Sequence, residues 1–330
     1  MGRNQFLIAI GLGVVAAVVF ASATTGPVLI RYALFLLTSL PIFLAGLGWG
    51  WRMAALAGTV SVALVALGGG ALPAAVFAIT QVVPPVILCY LALLSRVYQP
   101  EGAANETIEW YPPGRLVLWS AVMAGLLTLA ILMLTAENLD AVKASIREYV
   151  ESTLKSGLGP AGERGGLDDT QLSSLTDMIV ALMPAASSVS WMTALVFNLW
   201  LAGRITLASG QLGRPWPDIA ALEYPTGTAL MFLASILLSG ASGLAGAAGT
   251  GFFGAFFLAY VLAGLAVIHY LTRGKPWRSF ALWGLYIGLF VINVWIAAIV
   301  ALVGLADGPF KLRQRSQAPG PPPTDPSASI

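Results

Sequence analysis

The chain of 330 residues is 58% hydrophobic and only 10% charged, with a formal net charge of +2. Soluble domains carry about a quarter charged residues, so this composition excludes an ordinary soluble fold, and the chain lacks the dense basic stripe of a nucleic-acid-binding protein. We expect an all-α, polytopic transmembrane bundle with the lipid bilayer as its main partner and no nucleic-acid partner.

Nine stretches are apolar and long enough for membrane-spanning helices, which need roughly 20 residues each. In chain order they are 5–23, 28–48, 52–69, 73–95, 115–135, 180–206, 226–246, 250–271 and 279–304. All 15 acidic residues fall outside them, as expected because a carboxylate in hydrocarbon is costly. The pattern predicts about eight to nine spans and leaves the choice between the two counts open.

The ends and breaks of these stretches carry local signals. Ala21-Ser22-Ala23 resembles a signal-peptidase site, but the further spans that follow favour an uncleaved first helix. Gly26-Pro27 is predicted to break the first pair of spans, and Gly249-Thr250-Gly251 to separate 226–246 from 250–271.

Polar stretches interrupt the apolar ones. Residues 96–114 are predicted to be a short loop, and 136–179 a helical excursion outside the membrane, in which 137–155 has the apolar spacing of an amphipathic helix. We assign 1–310 to the transmembrane domain. The Pro- and Ser-rich tail, 311–330, is predicted to be disordered.

The distribution of basic residues only partly determines the topology. An N-terminus in the cytoplasm places the basic residues of the short loops inside, which satisfies the positive-inside rule. With nine spans, however, Lys311, Arg313 and Arg315 lie outside, against that rule. Eight spans would remove the conflict, so the side of the C-terminus stays open.

Catalytic chemistry has few candidate residues in this sequence. His269 is the single histidine and Cys89 the single cysteine; we interpret them as a helix-end residue at the membrane surface and a small core residue. Nucleotide-binding, metalloprotease and nucleophile-elbow motifs do not occur. We therefore predict that the chain is not an enzyme and assign no catalytic residue, metal ligand or cofactor.

Uncharged or basic residues inside or next to the spans form one candidate ligand or helix-packing face. Its members are Arg31, Trp191, Asn198, Arg204 and Asn293. A ligand-binding face and a set of interhelical hydrogen bonds are both open interpretations. Two GxxxG pairs, Gly46/Gly50 and Gly284/Gly288, indicate close helix packing.

Several short segments resemble known families. Residues 40–69 resemble the early helices of the substrate-binding S components of energy-coupling factor vitamin transporters. Asn198 to Arg204, Arg214-Pro215 with its Trp-Pro loop, and Gly304 to Asp307 followed by a basic cluster are similar to DUF2232, the YybS-like family of predicted bacterial membrane proteins. The resemblance covers residues 5–315 and implies a multi-pass protein of the bacterial inner (cytoplasmic) membrane.

Two functions follow as expectations. The similarity to S components implies small-molecule capture or transport, with a transmembrane coupling partner and ATPases. The alternative is a non-transporting scaffold for envelope or cell-wall assembly, docked to envelope proteins through 136–179. A cavity lined by Arg31, Asn198 and Arg204 would favour capture, and a solid bundle would favour the scaffold.

Overall fold

The computed structural model describes residues 2–24, 27–99, 106–135, 139–158 and 168–316. These residues form an α-helical bundle with one small hairpin, as the composition predicts. The helices are α1 Arg3–Ser22, α2 Val28–Leu37, α3 Leu40–Trp49, α4 Trp51–Gly69, α5 Ala71–Phe77, α6 Val83–Ala92, α7 Pro113–Leu134, α8 Leu139–Leu158, α9 Asp169–Ala208, α10 Thr228–Ser239, α11 Gly243–Leu271, α12 Arg278–Val291, α13 Val294–Phe310 and α14 Leu312–Arg315. The strands are β1 Ser95–Tyr98 and β2 Thr107–Trp110.

Seven helical stretches among the described residues are long and apolar enough to cross a membrane. Two of the predicted spans are wrong as single helices. The stretch 226–246 contains α10, only 12 residues long, and 279–304 is divided into α12 and α13 at Asn293, whose φ is 51°. The predicted break at Gly249–Gly251 is also wrong, because α11 runs through it and the chain turns between Ser239 and Gly243.

Two of the crossings in the N-terminal half are interrupted helices. α2 and α3 are separated at Thr38 and Ser39, just before Pro41. α5 and α6 are joined by a π-helical turn, Ala78–Val82, just before Pro84. Proline removes a backbone donor and disrupts the preceding turn, which explains why both interruptions lie immediately before proline residues.

The contacts between helices give their directions. Ala9 packs with Met53, and a Cβ added to Gly13 would lie 2.9 Å from Val60, so α1 and α4 run parallel. Short turns reverse the chain between successive crossings up to α6. The N-terminus and the α3–α4 turn therefore lie at one end of the bundle, which we call the basic face; its basic residues are Arg3, Arg52, Arg96, Arg115, Arg204, Arg214, Arg273, Lys275 and Arg278.

Two further helices, α12 and α13, follow α11 from the basic face. A Cβ on Gly264 would meet the carbonyl oxygen of Val300, and one on Gly304 would meet that of Tyr260. α13 is therefore antiparallel to α11, begins near the end of α11 and runs back into the bundle. α12 lies at the basic-face end of α11, where Arg278 and Tyr286 both contact His269.

The short helix α14 follows α13, and its Arg313 is buried against the bundle. Arg313 donates to the carbonyl oxygen of Ala220 and pairs with Asp307. Because α13 is already level with Tyr260 at Gly304, about 16 Å from the C-terminal end of α11 at 1.5 Å per residue, α14 does not lie on the basic face. From α1 to α11 the helix directions give eight crossings, with α10 as part of the seventh, and the choice between eight and nine spans stays a prediction.

The opposite end of the bundle carries a helical arm. α9 has 40 residues, about 60 Å at 1.5 Å per residue, or about twice the hydrocarbon thickness. Its first turns pack against α8, where Arg147 pairs with Asp177. Val142 and Ile146 are half-buried in this contact, so the predicted amphipathic helix is confirmed as α8; residues 136–138 and 159–167 lie outside the described part.

Two segments differ from a simple loop or tail. The region 96–114 contains an antiparallel hairpin in which β1 pairs with β2, with Ser95 opposite Trp110. Residues 311–316 include the short helix α14, and Arg313 is buried there. The rest of the predicted disordered tail, 317–330, lies outside the described residues.

Candidate functional site

The described part of the bundle contains a cavity of about 550 Å³ toward its basic face. It lies between α9, α11, α12 and the segment that connects α9 to α10, which contains no α-helix and only one 3-10 turn, Ile219–Ala221. Its volume falls within the roughly 300–1,000 Å³ of typical ligand pockets. We call this space the basic-face cavity.

The connecting segment, 209–227, is kept out of α-helical conformation by its own residues. Gly210 and Gly227 have φ values of 68° and 98° and bound the segment at positions that favour glycine. Pro215 and Pro217 lie between them and cannot donate backbone hydrogen bonds. The seventh crossing is therefore half extended chain and half the short helix α10.

This segment descends into the bundle. Leu222 is 5% exposed and packs with Ala255 and Ala259 in one core cluster, and the Tyr224 hydroxyl donates to the carbonyl oxygen of Ala259 at 2.6 Å. Ala259 lies about 18 Å from the C-terminal end of α11, at 1.5 Å per residue. Non-helical backbone at such depth is tolerated where protein covers it or where it lines a cavity.

Ion pairs anchor the segment. Two nitrogens of Arg273 donate to the Asp218 carboxylate at 2.9 and 3.0 Å, and Asp218 also accepts from the backbone N–H of Ala220. The hydrogen bond from Arg273 is the main reason that the pKa of Asp218 is lowered. Arg313 pairs with Asp307 at 2.5 Å. Both acidic groups are thus occupied by arginines outside the cavity.

The cavity walls are mainly apolar. α9 contributes Phe197 and Trp200, α11 contributes Leu258 and Leu262, and the connecting segment contributes Leu222. Phe197 and Trp200 are each 44% exposed. The cavity therefore meets the lipid-facing side of α9 as well as the interior.

Arg214 is the first of two cationic groups in the lining. Its Nη1 donates to the carbonyl oxygens of Ala92 and Tyr111 at 2.9 and 3.2 Å, and its guanidinium lies 5.7 Å from the Trp110 ring centroid. Its buried Nε has no hydrogen-bond partner. Burial lowers the pKa of Arg214, and no carboxylate pairs with it within the part of the chain that the structure describes.

Arg278 is the second cationic group, and it stands beside the single histidine. It donates to the carbonyl oxygen of His269 at 2.9 Å. The Nδ1 of His269 lies 2.9 Å from the carbonyl oxygen of Leu265, and its Nε2 lies 3.3 Å from the Tyr286 hydroxyl. A carbonyl oxygen only accepts, so Nδ1 is the donor in the bond to Leu265. His269 thus lines the cavity, which its interpretation as a helix-end residue did not anticipate.

The five residues predicted to share a face do not meet in one site. Arg31 is exposed near the arm and donates to Ala23, and Trp191 packs edge-on against Phe35. Asn293 is exposed in the α12–α13 break. None of the five is in the cavity lining. The member nearest to it is Arg204, whose guanidinium lies 5.2 Å from the ring of the lining residue Trp216.

Asn198 belongs instead to a polar cluster inside the bundle. It is fully buried, and its Nδ2 donates to the carbonyl oxygens of Leu36 and Ala194 at 2.6 and 2.8 Å, while its Oδ1 has no partner. Nearby in the same break, Ser39 donates to the side-chain oxygen of Gln81 at 2.6 Å. The bond to Leu36 uses a carbonyl oxygen at the break between α2 and α3, so the packing interpretation of Asn198 has a specific partner.

Sequence reasoning missed both cavity arginines as site residues. Arg278 counted only as a loop cation in the topology prediction, and Arg214 as a loop cation and as part of the Arg214-Pro215 family resemblance. One signal was present: Arg214 directly precedes Pro-Trp-Pro, a combination that prevents a helix and brings an aromatic ring beside a cation. The contribution of Arg278 depends on the α11–α12 turn and has no comparable local signature.

These features define a multi-pass α-helical membrane protein with an internal cavity. The chain belongs to the DUF2232 family, described as a predicted membrane protein, whose model matches residues 14–308. The resemblance to this family that the sequence predicts is therefore confirmed. No curated protein and no solved structure matches the chain, and the likeness to S components stays a prediction.

Proposed function

We propose that this protein captures a small, largely apolar molecule in the basic-face cavity, as the binding step of a transport process. The observation that carries the proposal is the cavity of about 550 Å³ with apolar walls. Apolar pockets of this size with a few polar groups are the usual form of small-molecule sites.

The interrupted seventh crossing supports the same function. Discontinuous helices are common at transporter binding sites, where extended backbone lines the site near the middle of the membrane. Here the 209–227 segment supplies Trp216 and Leu222 to the cavity wall. The segment therefore has the placement expected of a substrate-binding element.

The proposal also includes the membrane in which the protein lies and the proteins with which it works. Following the resemblance to S components, we place the protein in the bacterial inner membrane with a transmembrane coupling partner and ATPases that drive release. We assign no catalytic step, cofactor or metal to the cavity.

Native mass spectrometry of protein purified in mild detergent tests the proposal, with Leu258→Trp as the variant that fills the cavity. We expect a bound small molecule in the wild type and its loss in this variant. The matched control is Leu230→Trp on α10, since Leu230 is 70% exposed and outside the cavity lining. A wild-type protein that retains no molecule and is not stabilised by any compound of a metabolite library would contradict the proposal.

The arm supports a second candidate function, that of an envelope scaffold. α8 and the first turns of α9 form a charged hairpin with Tyr149 71% exposed. A photo-crosslinking residue at position 149 should recover a reproducible envelope protein if the arm is a docking element. Recovery of only lipid and of the chain itself would contradict this role.

A further inference from the structure

Building on the proposed capture function, we propose that the ligand is an amphipathic anion whose carboxylate or phosphate head binds Arg214 and Arg278. Its apolar part then lies between α9 and α11. The apolar walls would accept the apolar part of many molecules. The negative charge of the head group is what distinguishes this ligand from other apolar molecules of the same size.

Both arginines of the cavity lining lack a counter-ion in the part of the chain that the structure describes. Arg214 and Arg278 line the cavity, and neither pairs with a carboxylate among the described residues. Two cations beside one apolar space and without counter-ions form a site for an external anion.

The acidic residues of the connecting segment face away from the cavity. Asp218 and Glu223 belong to the same connecting segment as Arg214, but they face Arg273 and Arg313. Neither is in the cavity lining. The segment thus directs its carboxylates away from the cavity and its arginine into the lining, so a negatively charged head meets no repulsion from these two residues.

Hydrogen bonds fix Arg214 in the cavity lining. Its Nη1 is occupied by two carbonyl oxygens, which hold the guanidinium in place without neutralising its charge. Bonds from a charged donor to an anion are among the stronger ones in proteins, so an anionic head gains more from this arginine than a neutral head does.

The route of entry fits an amphiphile. Phe197 and Trp200 line the cavity and are partly exposed on the outer side of α9. Basic residues cluster at the same end of the bundle, where head groups of a bilayer would lie. A membrane-dissolved amphiphile can therefore reach the cavity sideways with its head at the level of the two arginines.

The test uses the full chain in nanodiscs of phosphatidylcholine and two fluorescent probes, cis-parinaric acid and its neutral methyl ester. We expect the acid to bind about tenfold more tightly than the ester or better. Arg278→Gln should weaken binding of the acid by about tenfold and leave the ester unchanged. Arg214→Gln should do the same, with a melting curve to check its folding because Arg214 also holds two carbonyl oxygens.

The matched control is Arg52→Gln, since Arg52 is on the same face, lies over Trp51 and is outside the cavity lining; it should bind both probes as the wild type does. If dodecyl phosphate displaces the acid, the site accepts a phosphate head. If dodecyl phosphate fails to displace the acid, the head is a carboxylate. Equal binding of acid and ester, unchanged by Arg278→Gln, would overturn the anionic ligand and leave capture standing. Absence of binding by either probe, together with an empty protein in mass spectrometry, would overturn both.

Discussion

Gly264 lies where α13 crosses α11, and one added methyl group there should force the two helices apart. An ideal Cβ on Gly264 would lie 1.8 Å from the carbonyl oxygen of Val300 and 2.7 Å from its carbonyl carbon. Ordinary van der Waals contact begins at 3.4 Å. Because the obstacle is backbone, no change of side-chain rotamer relieves the overlap, and α13 must move.

The expected size of the effect follows from that displacement. A gap of 0.5–1 Å already loses roughly a quarter to a half of the dispersion attraction at a contact, and overpacking a core usually costs about 1–3 kcal/mol. Gly264→Ala should therefore lower Tm by several degrees, at roughly 2–4 °C per kcal/mol.

The assay is thermal melting of the detergent-solubilised protein, followed by tryptophan fluorescence. The control is Gly284→Ala on α12, which makes the same chemical change where an added Cβ meets nothing within 4 Å. Its effect should stay within about 0.5 kcal/mol. Equal Tm values for the two variants would refute the close crossing of α11 and α13.

Three further predictions concern hydrogen bonding, pH and topology. Asn198→Ala removes two hydrogen bonds to helix carbonyl oxygens and should cost about 1 kcal/mol, seen as a lower Tm; an unchanged Tm would contradict it. Because the pKa of Asp218 is lowered in the folded state by Arg273, their pair stabilises the fold above the unfolded pKa and is lost as the pH falls through the folded value. The Tm advantage of the wild type over Asp218→Asn, small because the pair is exposed, should thus vanish on acidification. Single cysteines at Ser174 and Gln211, both exposed, should react with a membrane-impermeant thiol reagent from opposite sides, and labelling from one side only would contradict the course of α9 from the arm to the basic face.

Hydropathy was sufficient where a crossing is one uninterrupted helix. The predicted stretches 5–23, 52–69 and 115–135 correspond to α1, α4 and α7 within a few residues. It failed where an apolar run contains a turn, because a hairpin and a span have the same composition. The break inside 279–304 depends on the conformation of Asn293, which an average over neighbouring residues cannot detect.

The GxxxG pattern correctly indicated that glycines allow close helix packing, but it did not identify which glycines do so. Gly46 is closely packed, since its Cβ would lie 2.3 Å from the sulfur of Cys89, while its GxxxG partner Gly50 is a turn residue with a φ of 95°. In the second pair, Gly284 has open space around it. Spacing alone identifies glycines on one helix face, whereas their use depends on which helix lies opposite, and tertiary contacts decide that.

The cavity was the least predictable feature. Its lining comes from α3, α6, α7, α9, α11, α12 and the connecting segment, so no continuous stretch of sequence carries its signature. Arg214 and Arg278 become neighbours of one space only after the seventh crossing has folded as an extended chain. Arg31 and Asn198, chosen because they interrupt apolar runs, turned out to lie at the arm end and in the polar cluster.

The bond between Ser39 and Gln81 has a mechanical consequence. It links the interruption between α2 and α3 to the π-helical turn between α5 and α6. Bends in helices concentrate at such interruptions, so the bend in one of these crossings is set relative to the bend in the other. α9 packs against both α3 and α6 and lines the cavity with Phe197 and Trp200. The bond between Ser39 and Gln81 therefore helps to position the cavity wall, although neither residue belongs to the lining.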